Sequence, residues 1–380
     1  MPAAADAARA TTAERERLLA DFVRYCEVES PSRRERAIAD AVTAELRALG
    51  LDVLEDDTRA QTGAGAGNLL ALIPGPEGRR TVMLCAHLDT VPLAAPVEVV
   101  RENDMLSNRH DGILGADNKT AVAVLLALAR RLLEEGPPVG VELLFTVCEE
   151  RALAGAKAFD AGRLRAEYGF VFDHASPIGD LIVAAPSYYR IDGDLHGHAA
   201  HAGIRPEAGR SAIEAAAAAV SAMRLGRLDD ATTVNVGRIE GGTARNVVAE
   251  RCRLELEARS LDPQRASEVA TAVVDAITEA ASDAECDVEI DVQELFRAYR
   301  VVRSAAPVVA AAGALEALGF EPRHVTTGGG SDANAFQAAG LPCLNVADGV
   351  ERNHEPEERV AVAALETLLD LALEIVRRCV

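Results

Sequence analysis

Imidazole and carboxylate side chains recur where the apolar runs of this sequence end. His87 follows the run Thr81–Leu84, which is typical of a buried parallel strand. Open α/β sheets place their active sites at the carboxyl ends of their strands. Because imidazole and carboxylate groups together bind divalent transition metals such as zinc, a recurring set predicts a metal site. The other positions of this kind are Asp117, Glu149, Glu150, Asp173 and His354.

Strands alternate with helices in the first and last parts of the chain. Such alternation predicts an α/β fold, with a mostly parallel sheet flanked by helices on both faces. Ser32 is expected to be the N-cap of the second helix, and the polar, Gly-rich stretch 57–66 is expected to be a loop. The predicted strands are 68–73, 81–86, 141–147, 168–172 and 342–346, and the predicted helices are 13–27, 32–49, 119–135, 152–160, 305–318 and 360–378.

The middle of the chain has a different pattern, because polar and apolar residues alternate there as in half-exposed antiparallel strands. The expected order is β-α-β-β-α-β, which is the ferredoxin-like unit. We therefore predict one domain formed by residues 1–185 and 297–380, interrupted by an inserted α+β domain at 186–296. The elements expected in the insertion are strands 188–197, 232–239, 247–258 and 288–295 and helices 211–223 and 263–281.

Composition excludes several classes of protein. The chain has 380 residues, which is too long for one typical domain. Its net charge of -21 argues against nucleic acid or an anionic membrane as a partner, since both need clustered Lys and Arg. The seven Cys are scattered without a C-x-x-C pair, and there is no secretory h-region and no run long enough to span a membrane. We expect a cytoplasmic protein.

Six motifs follow one another along the chain, namely HLDTVP at 87–92, GADNK at 115–119, Glu149-Glu150, Asp173, GGGSDAN at 328–334 and His354. Their order resembles one family. It is similar to the di-zinc exopeptidase and deacylase superfamily, which includes peptidase T, carboxypeptidase G, succinyl-diaminopimelate desuccinylase and aminoacylase. The resemblance runs nearly end to end and implies a zinc exopeptidase-like catalytic domain with an inserted lid and dimerisation domain. Together with the Gly-rich segment, the sequence GRIEGGT at 237–243 points to the peptidase T-like branch.

The resemblance implies two zinc ions per chain. His87, Asp117 and Asp173 would hold one ion, and Asp117, Glu150 and His354 would hold the other, with Asp117 bridging. Cobalt or manganese can occupy ligands of the same types. In the family, the peptide bond after the residue that matches Asp117 is a non-proline cis bond. From the residues alone, Asp117 could be only the N-cap of the following helix.

Two further acids have expected roles beside the metals. The family makes Glu149 the general base, and the alternative is a solvated acidic turn at a helix N-terminus. Asp89 lies two residues beyond His87 on an extended chain, so both side chains point the same way. Its carboxylate is expected to accept the second N–H of the His87 imidazole.

The inserted domain carries residues that the family uses on the substrate. His201, in GHAAHAG at 197–203, matches the histidine that reaches across the dimer interface and stabilises the oxyanion. Asn246 and Arg259 match residues that grip the substrate, and a guanidinium fork suits a carboxylate. For Arg259 the alternative is a surface salt bridge, and for His198 a contribution stays open.

The glycine-rich loop that begins at Thr327 has two interpretations. In peptidase T-like enzymes this loop lines the substrate pocket, which implies substrate contacts for Gly329, Gly330 and Ser331. A phosphate cradle is disfavoured, because the loop lacks the G-K-[ST] ending of a P-loop. This argues against a nucleotide-dependent enzyme.

The expected function is metal-dependent hydrolysis of an amide bond in small peptides. A peptidase T-like aminopeptidase would use a water that bridges two zinc ions, with Glu149 as its general base, and would work as a homodimer through the inserted domain. An N-acyl amino acid deacylase on the same site is one alternative. A non-catalytic metal-binding relative is another, although such a protein has no need of a base.

Overall fold

The computed structural model describes residues 8–380, which divide into two compact units. Unit 1 comprises the described residues up to Ala184 together with Arg300–Thr327 and Ser331–Val380. Unit 2 comprises Ala185–Tyr299 and Gly328–Gly330. The catalytic role of the one and the lid and dimerisation role of the other stay predictions.

The described helices lie largely where helical periodicity predicted them. Their bounds are α1 (Thr12–Cys26), α2 (Arg36–Ala48), α3 (Arg59–Thr62), α4 (Ala116–Glu135), α5 (Ala154–Ala158), α6 (Ala212–Ala222), α7 (Pro263–Asp283), α8 (Ala306–Leu318), α9 (Asp332–Ala338) and α10 (Val362–Arg378).

The strands comprise the predicted apolar runs and several short polar segments. Their bounds are β1 (Val53–Glu55), β2 (Leu69–Ile73), β3 (Thr81–His87), β4 (Val99–Glu102), β5 (Met105–Asn108), β6 (Gly140–Thr146), β7 (Tyr168–Phe172), β8 (Asp180–Ala185), β9 (Ser187–His196), β10 (Gly226–Asp229), β11 (Thr232–Gly241), β12 (Arg251–Ser260), β13 (Asp287–Phe296), β14 (Tyr299–Arg300), β15 (Arg323–Thr326), β16 (Cys343–Val346), β17 (Val350–Glu351) and β18 (Arg359–Ala361).

The main sheet has a parallel centre whose strands end at the same edge. Its strand order is β1-β2-β6-β3-β7-β16-β8-β14, and β15 pairs with β8. Strand β3 is parallel to both β6 and β7, and β7 is parallel to β16. Every residue of β6 and β7 is buried, as expected of strands with both faces covered. His87 is paired with Thr146, so the residues that follow β3 and β6 leave the sheet at one place.

Unit 2 contains an antiparallel sheet in the order β10-β11-β12-β9-β13. Helices α6 and α7 contact it, and its buried side chains form one apolar cluster with theirs. Residues alternate between buried and partly exposed along β12, which is the period-2 pattern found in the sequence. The predicted β-α-β-β-α-β order is present, with the short strand β10 added after α6.

Two local expectations were wrong, and one sheet was not predicted. Helix α2 begins at Arg36 rather than at 32, because Arg33 has a left-handed φ of 75° and the Ser32 hydroxyl bonds to Asp89 instead of capping a helix. The loop expected at 57–66 contains the four-residue helix α3. A second sheet in unit 1, in the order β17-β18-β5-β4, was not predicted, since these two- to four-residue strands carry no apolar run. A search of residues 8–380 finds no helix that is both long and apolar enough to cross a membrane.

Candidate metal centre

The acids and histidines named from the sequence of unit 1 converge at the carboxyl edge of the main sheet. His87 ends β3, Glu149 and Glu150 follow β6, and Asp173 follows β7. Within each of two overlapping groups, the ligand atoms lie within 4.8 Å of one another. The first group contains His87, Asp117 and Glu150, and the second contains His87, Glu149 and Asp173.

The carboxylate of Asp117 lies between two imidazole–carboxylate pairs. Its Oδ1 is 3.1 Å from His87 Nε2, and its Oδ2 is 3.3 Å from His354 Nε2. On the first side, Asp173 Oδ1 is 3.6 Å from His87 Nε2. On the second side, Glu150 Oε1 is 2.8 Å from His354 Nε2. One carboxylate is therefore shared by two ligand pairs, which is the arrangement that a bridging ligand requires.

The charges of this cluster strongly shift its pKa values. Burial lowers the pKa of His87, but hydrogen bonds to Asp117 and Asp173 outweigh burial and hold it well above its ordinary value. Hydrogen bonds to Asp117 and Glu150 raise the pKa of His354 to about 10. Burial alone would raise the pKa of the Asp117 carboxyl, but hydrogen bonds from His354 and His87 outweigh burial and hold this pKa below its ordinary range. The carboxylates thus stabilise positively charged groups in the site.

The donor set fits divalent metal ions. A cluster of buried carboxylates is costly unless positive charge lies beside it. Imidazole nitrogen together with carboxylate oxygen is the ligand chemistry of zinc and its neighbours in the first transition row. The residues present therefore fit such ions.

The loop that carries Asp117 is held from the other end of the chain. The Asp117–Asn118 peptide bond is cis, as the resemblance implies, and both residues have non-helical backbone angles at the start of α4. The buried carboxylate of Glu358 accepts hydrogen bonds from the N–H groups of Gly115, at 2.7 Å, and of Asp117, at 2.9 Å. Glu358 lies four residues after His354, so it ties the loops of two metal-site residues together. Sequence reasoning missed it, because no local pattern marks a Glu in a loop as buried.

The segment around Asp173 is fixed by two amide side chains. Asn345 accepts a hydrogen bond from the main-chain N–H of Asp173 and donates one to its carbonyl oxygen, at 3.1 and 2.8 Å. Asn118 donates to Phe172 O at 2.7 Å and lies 3.3 Å from Asp173 Oδ1. These contacts set the position of Asp173 without using its second carboxylate oxygen.

Asp89 differs from its expected role. The Nδ1 atom of His87 lies 2.9 Å from the main-chain carbonyl oxygen of Asp89, and the carboxylate is farther away, at 3.6 Å. The carboxylate instead accepts hydrogen bonds from Ser32 Oγ and from the N–H groups of Glu149 and Glu150, at 2.6, 2.9 and 3.2 Å. The carbonyl still orients the imidazole, and the carboxylate positions the acidic pair.

The expected substrate residues of the inserted domain belong to unit 2. His201 is exposed in a turn, and the N–H of Ala202 donates to Asn246 O at 3.0 Å, so these two segments are neighbours. Arg259 donates to Gly328 O at 3.0 Å and to Glu257 at 3.1 Å. Its guanidinium carbon lies 4.1 Å from the centre of the Tyr188 ring. Arg259 therefore forms the salt bridge that was its alternative, in addition to its contact with the glycine-rich loop.

The glycine-rich loop has different constraints at each position. A Cβ atom at Gly330 would lie 2.4 Å from the ring of Phe296, so only glycine fits there. Gly329 belongs to unit 2 as well. Ser331 is buried at the N-cap of α9, and its N–H donates to Asn334 Oδ1 at 3.1 Å.

Comparison with known proteins shows which family the chain belongs to. The sequence model for peptidase family M28 matches residues 68–185, and that for the peptidase dimerisation domain matches residues 188–285. The aminopeptidase PepT of Bacillus cereus is 34% identical, with a TM-score of 0.88 over 96% of this chain and 98% of that one. A tripeptidase of Staphylococcus aureus is 32% identical, with a TM-score of 0.92 over the same shares. The chain belongs to the zinc exopeptidase superfamily, in its peptidase T-like branch.

The similarity extends over nearly the whole chain. An uncharacterised Bacillus subtilis protein, YqjE, is 35% identical over 361 residues, which are 95% of this chain and 97% of that protein. The predicted family and fold class are confirmed. This member of the superfamily is a metallopeptidase, and its activity is metal-dependent peptide hydrolysis. The non-catalytic alternative is therefore dropped.

Proposed function

We propose that the protein is a dinuclear aminopeptidase that hydrolyses an amide bond in small peptides, tripeptides among them. The observation that carries this proposal is the shared carboxylate of Asp117, with Glu149 grouped with His87 and Asp173. Two relatives that are similar over nearly the whole chain are an aminopeptidase and a tripeptidase, which supports this substrate class.

Each ion is assigned three of the converging residues. His87, Asp117 and Asp173 would hold one ion, and Asp117, Glu150 and His354 would hold the other. Zinc suits these ligands, and cobalt or manganese fits the same donor set. When bound, such ions polarise a carbonyl group and lower the pKa of water.

Glu149 is the general base of the proposed reaction. Burial, and next the charge of Asp173, raise the pKa of its carboxyl well above the ordinary value. A carboxyl with a raised pKa is suited to accept and return a proton near neutral pH. Glu149 takes a proton from the attacking water and later delivers it to the nitrogen of the departing amine. Asp89 supports this role because its carboxylate holds the main chain at Glu149.

Unit 2 supplies the groups that hold the substrate. Arg259 and Asn246 bind its carboxylate and carbonyl groups, and Gly329, Gly330 and Ser331 line its pocket. His201 stabilises the oxyanion from the partner subunit of a homodimer. The match of residues 188–285 to a peptidase dimerisation domain supports this arrangement.

Replacing Glu149 by glutamine tests the proposal. Gln keeps nearly the same shape but cannot accept the proton, so we expect turnover of a tripeptide to fall by about 10²–10⁴-fold. Metal content and substrate affinity should stay unchanged. The exposed Glu355→Gln, in the loop of His354, is the matched control. If Glu149→Gln lost an ion, Glu149 would be a ligand. If it kept wild-type turnover, Glu149 would not be the base.

The substrate class needs a separate experiment. Tripeptides, dipeptides and their N-acetylated forms are compared with the zinc-loaded protein. An aminopeptidase should prefer the free amine by at least tenfold, since its site must bind an ammonium group. Preference for the acetylated form would identify an N-acyl amino acid deacylase instead.

A further inference from the structure

Glu35 is a buried carboxylate that the metal centre does not use. It is 0% exposed and directly precedes α2. Its Oε1 accepts hydrogen bonds from the N–H of Arg33, at 2.8 Å, and from the Cys148 thiol, at 3.2 Å. Its Oε2 accepts one from the N–H of Gly65, at 2.6 Å. Both oxygens are therefore held, as burial of a carboxylate requires.

Glycine is needed at 65 for this arrangement. A Cβ atom at Gly65 would lie 2.6 Å from the main-chain nitrogen of Glu35. Only glycine lets the two backbones approach closely enough for the 2.6 Å hydrogen bond to Oε2. Arg33 and Gly65 thus fix the position of Glu35, and the hydrogen bond from the Cys148 thiol links it to the segment that follows β6.

Cys148 has an unusual backbone for its residue type. Its φ is 51°, and Ala152 and Leu153 in the same turn have φ values of 59° and 61°. Non-glycine residues stay in the left-handed region only where their surroundings fix them, and they cluster at functional sites. Cys148 immediately precedes Glu149, so its conformation sets the direction in which the chain presents the proposed base.

Other buried polar side chains hold the residues on either side of Cys148. The N–H of Val147 donates to Asn68 Oδ1 at 3.0 Å. The N–H groups of Glu149 and Glu150 donate to the Asp89 carboxylate. The contact of Cys148 with Glu35 differs from these because both of its partners are side chains, so it can be removed by mutation without leaving a main-chain N–H group unpaired.

We propose that Glu35 is a positioning residue for the general base, acting through the Cys148 thiol to fix the left-handed turn that directs the Glu149 carboxylate. This inference rests on the proposed role of Glu149. Among the described contacts of Glu35, none reaches a proposed metal ligand, so its effect should fall on turnover and not on metal binding. Small displacements of a catalytic group are costly, since a shift of about 1 Å can lower the rate roughly 10²-fold.

Variants of Cys148 test the link. Cys148→Ala removes the donor, whereas Cys148→Ser keeps an O–H that can donate to Glu35. Cys85→Ala is the matched control, because Cys85 is equally buried and lies two residues before His87. We expect Cys148→Ala to lower kcat about 10–10²-fold with KM and metal content unchanged. Cys148→Ser should recover most of the loss, and Cys85→Ala should stay within about twofold of the wild type.

Glu35→Gln tests the same contact from the other side. The amide leaves one acceptor oxygen where the carboxylate has two, so it cannot serve all three donors. We expect a similar fall in kcat. If both variants break one contact, the double variant Glu35→Gln/Cys148→Ala should be no slower than the slower single variant.

The outcomes separate this inference from the proposed function. If Glu149→Gln is inactive while Cys148→Ala matches Cys85→Ala, the positioning role is overturned and the base remains. Equal defects in Cys148→Ala and Cys148→Ser, or loss of metal in either, would also overturn it. If Glu149→Gln is active, the proposed function itself fails. Thermal unfolding of each variant identifies a misfolded one, and the Cys148 series alone decides if Glu35→Gln does not fold.

Discussion

Asp117 differs from the other proposed ligands because its two oxygens face different histidines. Its Oδ1 lies near His87 and its Oδ2 near His354. The remaining ligands each belong to one side, Asp173 with His87 and Glu150 with His354. Variants of these residues should therefore have unequal effects on the two ions.

The first prediction compares metal binding in ligand variants. Asp117→Asn should weaken both ions, whereas Asp173→Asn and His354→Ala should each weaken chiefly one, by at least about tenfold. Elemental analysis of metal-reconstituted protein after dialysis against a weak chelator measures the content per chain. Two ions bound to His354→Ala with unchanged affinity would contradict the assignment.

The second prediction concerns the protons that are released when a metal ion binds. In the metal-free protein, hydrogen bonds to Asp117 and Glu150 raise the pKa of His354 to about 10. The imidazolium therefore stabilises the metal-free fold fully below its ordinary pKa of about 6.5, and this contribution is lost as the pH rises through the raised value. A metal ion needs the neutral imidazole, so binding at pH 8 must release the proton of His354.

Calorimetric titration in buffers of different ionisation enthalpy counts the protons released at pH 8. His354→Ala should release about one proton fewer than the wild type, because the mutation removes the titrating group. The apparent metal affinity of the wild type should rise by up to about tenfold per pH unit for each proton released. Equal proton counts in the two proteins would show that metal binding does not remove a proton from His354.

At the scale of elements, the sequence predicted the strands that carry the site. Strands β3, β6 and β7 are continuous apolar runs because both faces of the sheet are covered, and their ends place His87, Glu149 and Asp173. The start of α2 was not predictable. Ser32 has the chemistry of a helix cap, but its hydroxyl bonds to Asp89, which lies 57 residues away in the sequence.

Glu35 and Glu358 were missed for a related reason. In the sequence each of them is simply a charged residue, and charged residues are usually exposed. Their burial depends on main-chain N–H groups from distant segments, those of Gly65 for Glu35 and of Gly115 and Asp117 for Glu358. Such long-range contacts leave no local periodic pattern.

The next prediction tests the connection between the two metal loops. Burial raises the pKa of Glu358 to about 7, although its carboxylate accepts the N–H groups of Asp117 and Gly115. Glu358→Gln would place an amide NH₂ against one of these N–H groups, so the Asp117 loop should shift. We expect metal affinity to fall about 10–100-fold, as for other residues that orient ligands. Competition with a coloured chelator measures the affinity.

The neighbouring Glu357 provides the control for this change, since it is exposed and differs by one position. Glu357→Gln should bind metal as the wild type does. If Glu358→Gln and Glu357→Gln had the same affinity, the hydrogen bonds from Glu358 would have no influence on the metal centre.

At the scale of the whole molecule, the two units carry different parts of the proposed chemistry. The proposed metal ligands and the base lie in unit 1, whereas His201, Asn246 and Arg259 lie in unit 2. The residues in unit 1 were predicted from the sequence because they follow the ends of predicted strands. The residues in unit 2 were predicted only by resemblance. Turns such as that of His201 have no periodic pattern, and Arg259 contacts Gly328, which is 69 residues away in the sequence.

The proposed homodimer makes a prediction about mixed chains. His201→Ala and Glu149→Gln should each be inactive alone. In a hybrid dimer, the His201→Ala chain keeps its own Glu149 and receives His201 of the partner subunit, so one of the two sites is complete. A random mixture should regain about a quarter of wild-type activity, since about half of its dimers are hybrids with one working site. Coexpression with two different tags and assay of the doubly purified protein isolates the hybrids.

A second mixture distinguishes complementation from reversion or contamination. Glu149→Gln and Asp173→Asn are defects of the same unit, so a hybrid of these two chains contains no complete site and should remain inactive. Recovery in the first hybrid but not in the second requires that His201 acts on the neighbouring chain. If the first hybrid were as inactive as its parents, or if light scattering found a fully active monomer at assay concentration, each chain would have to complete its own site, and His201 would have no role across an interface.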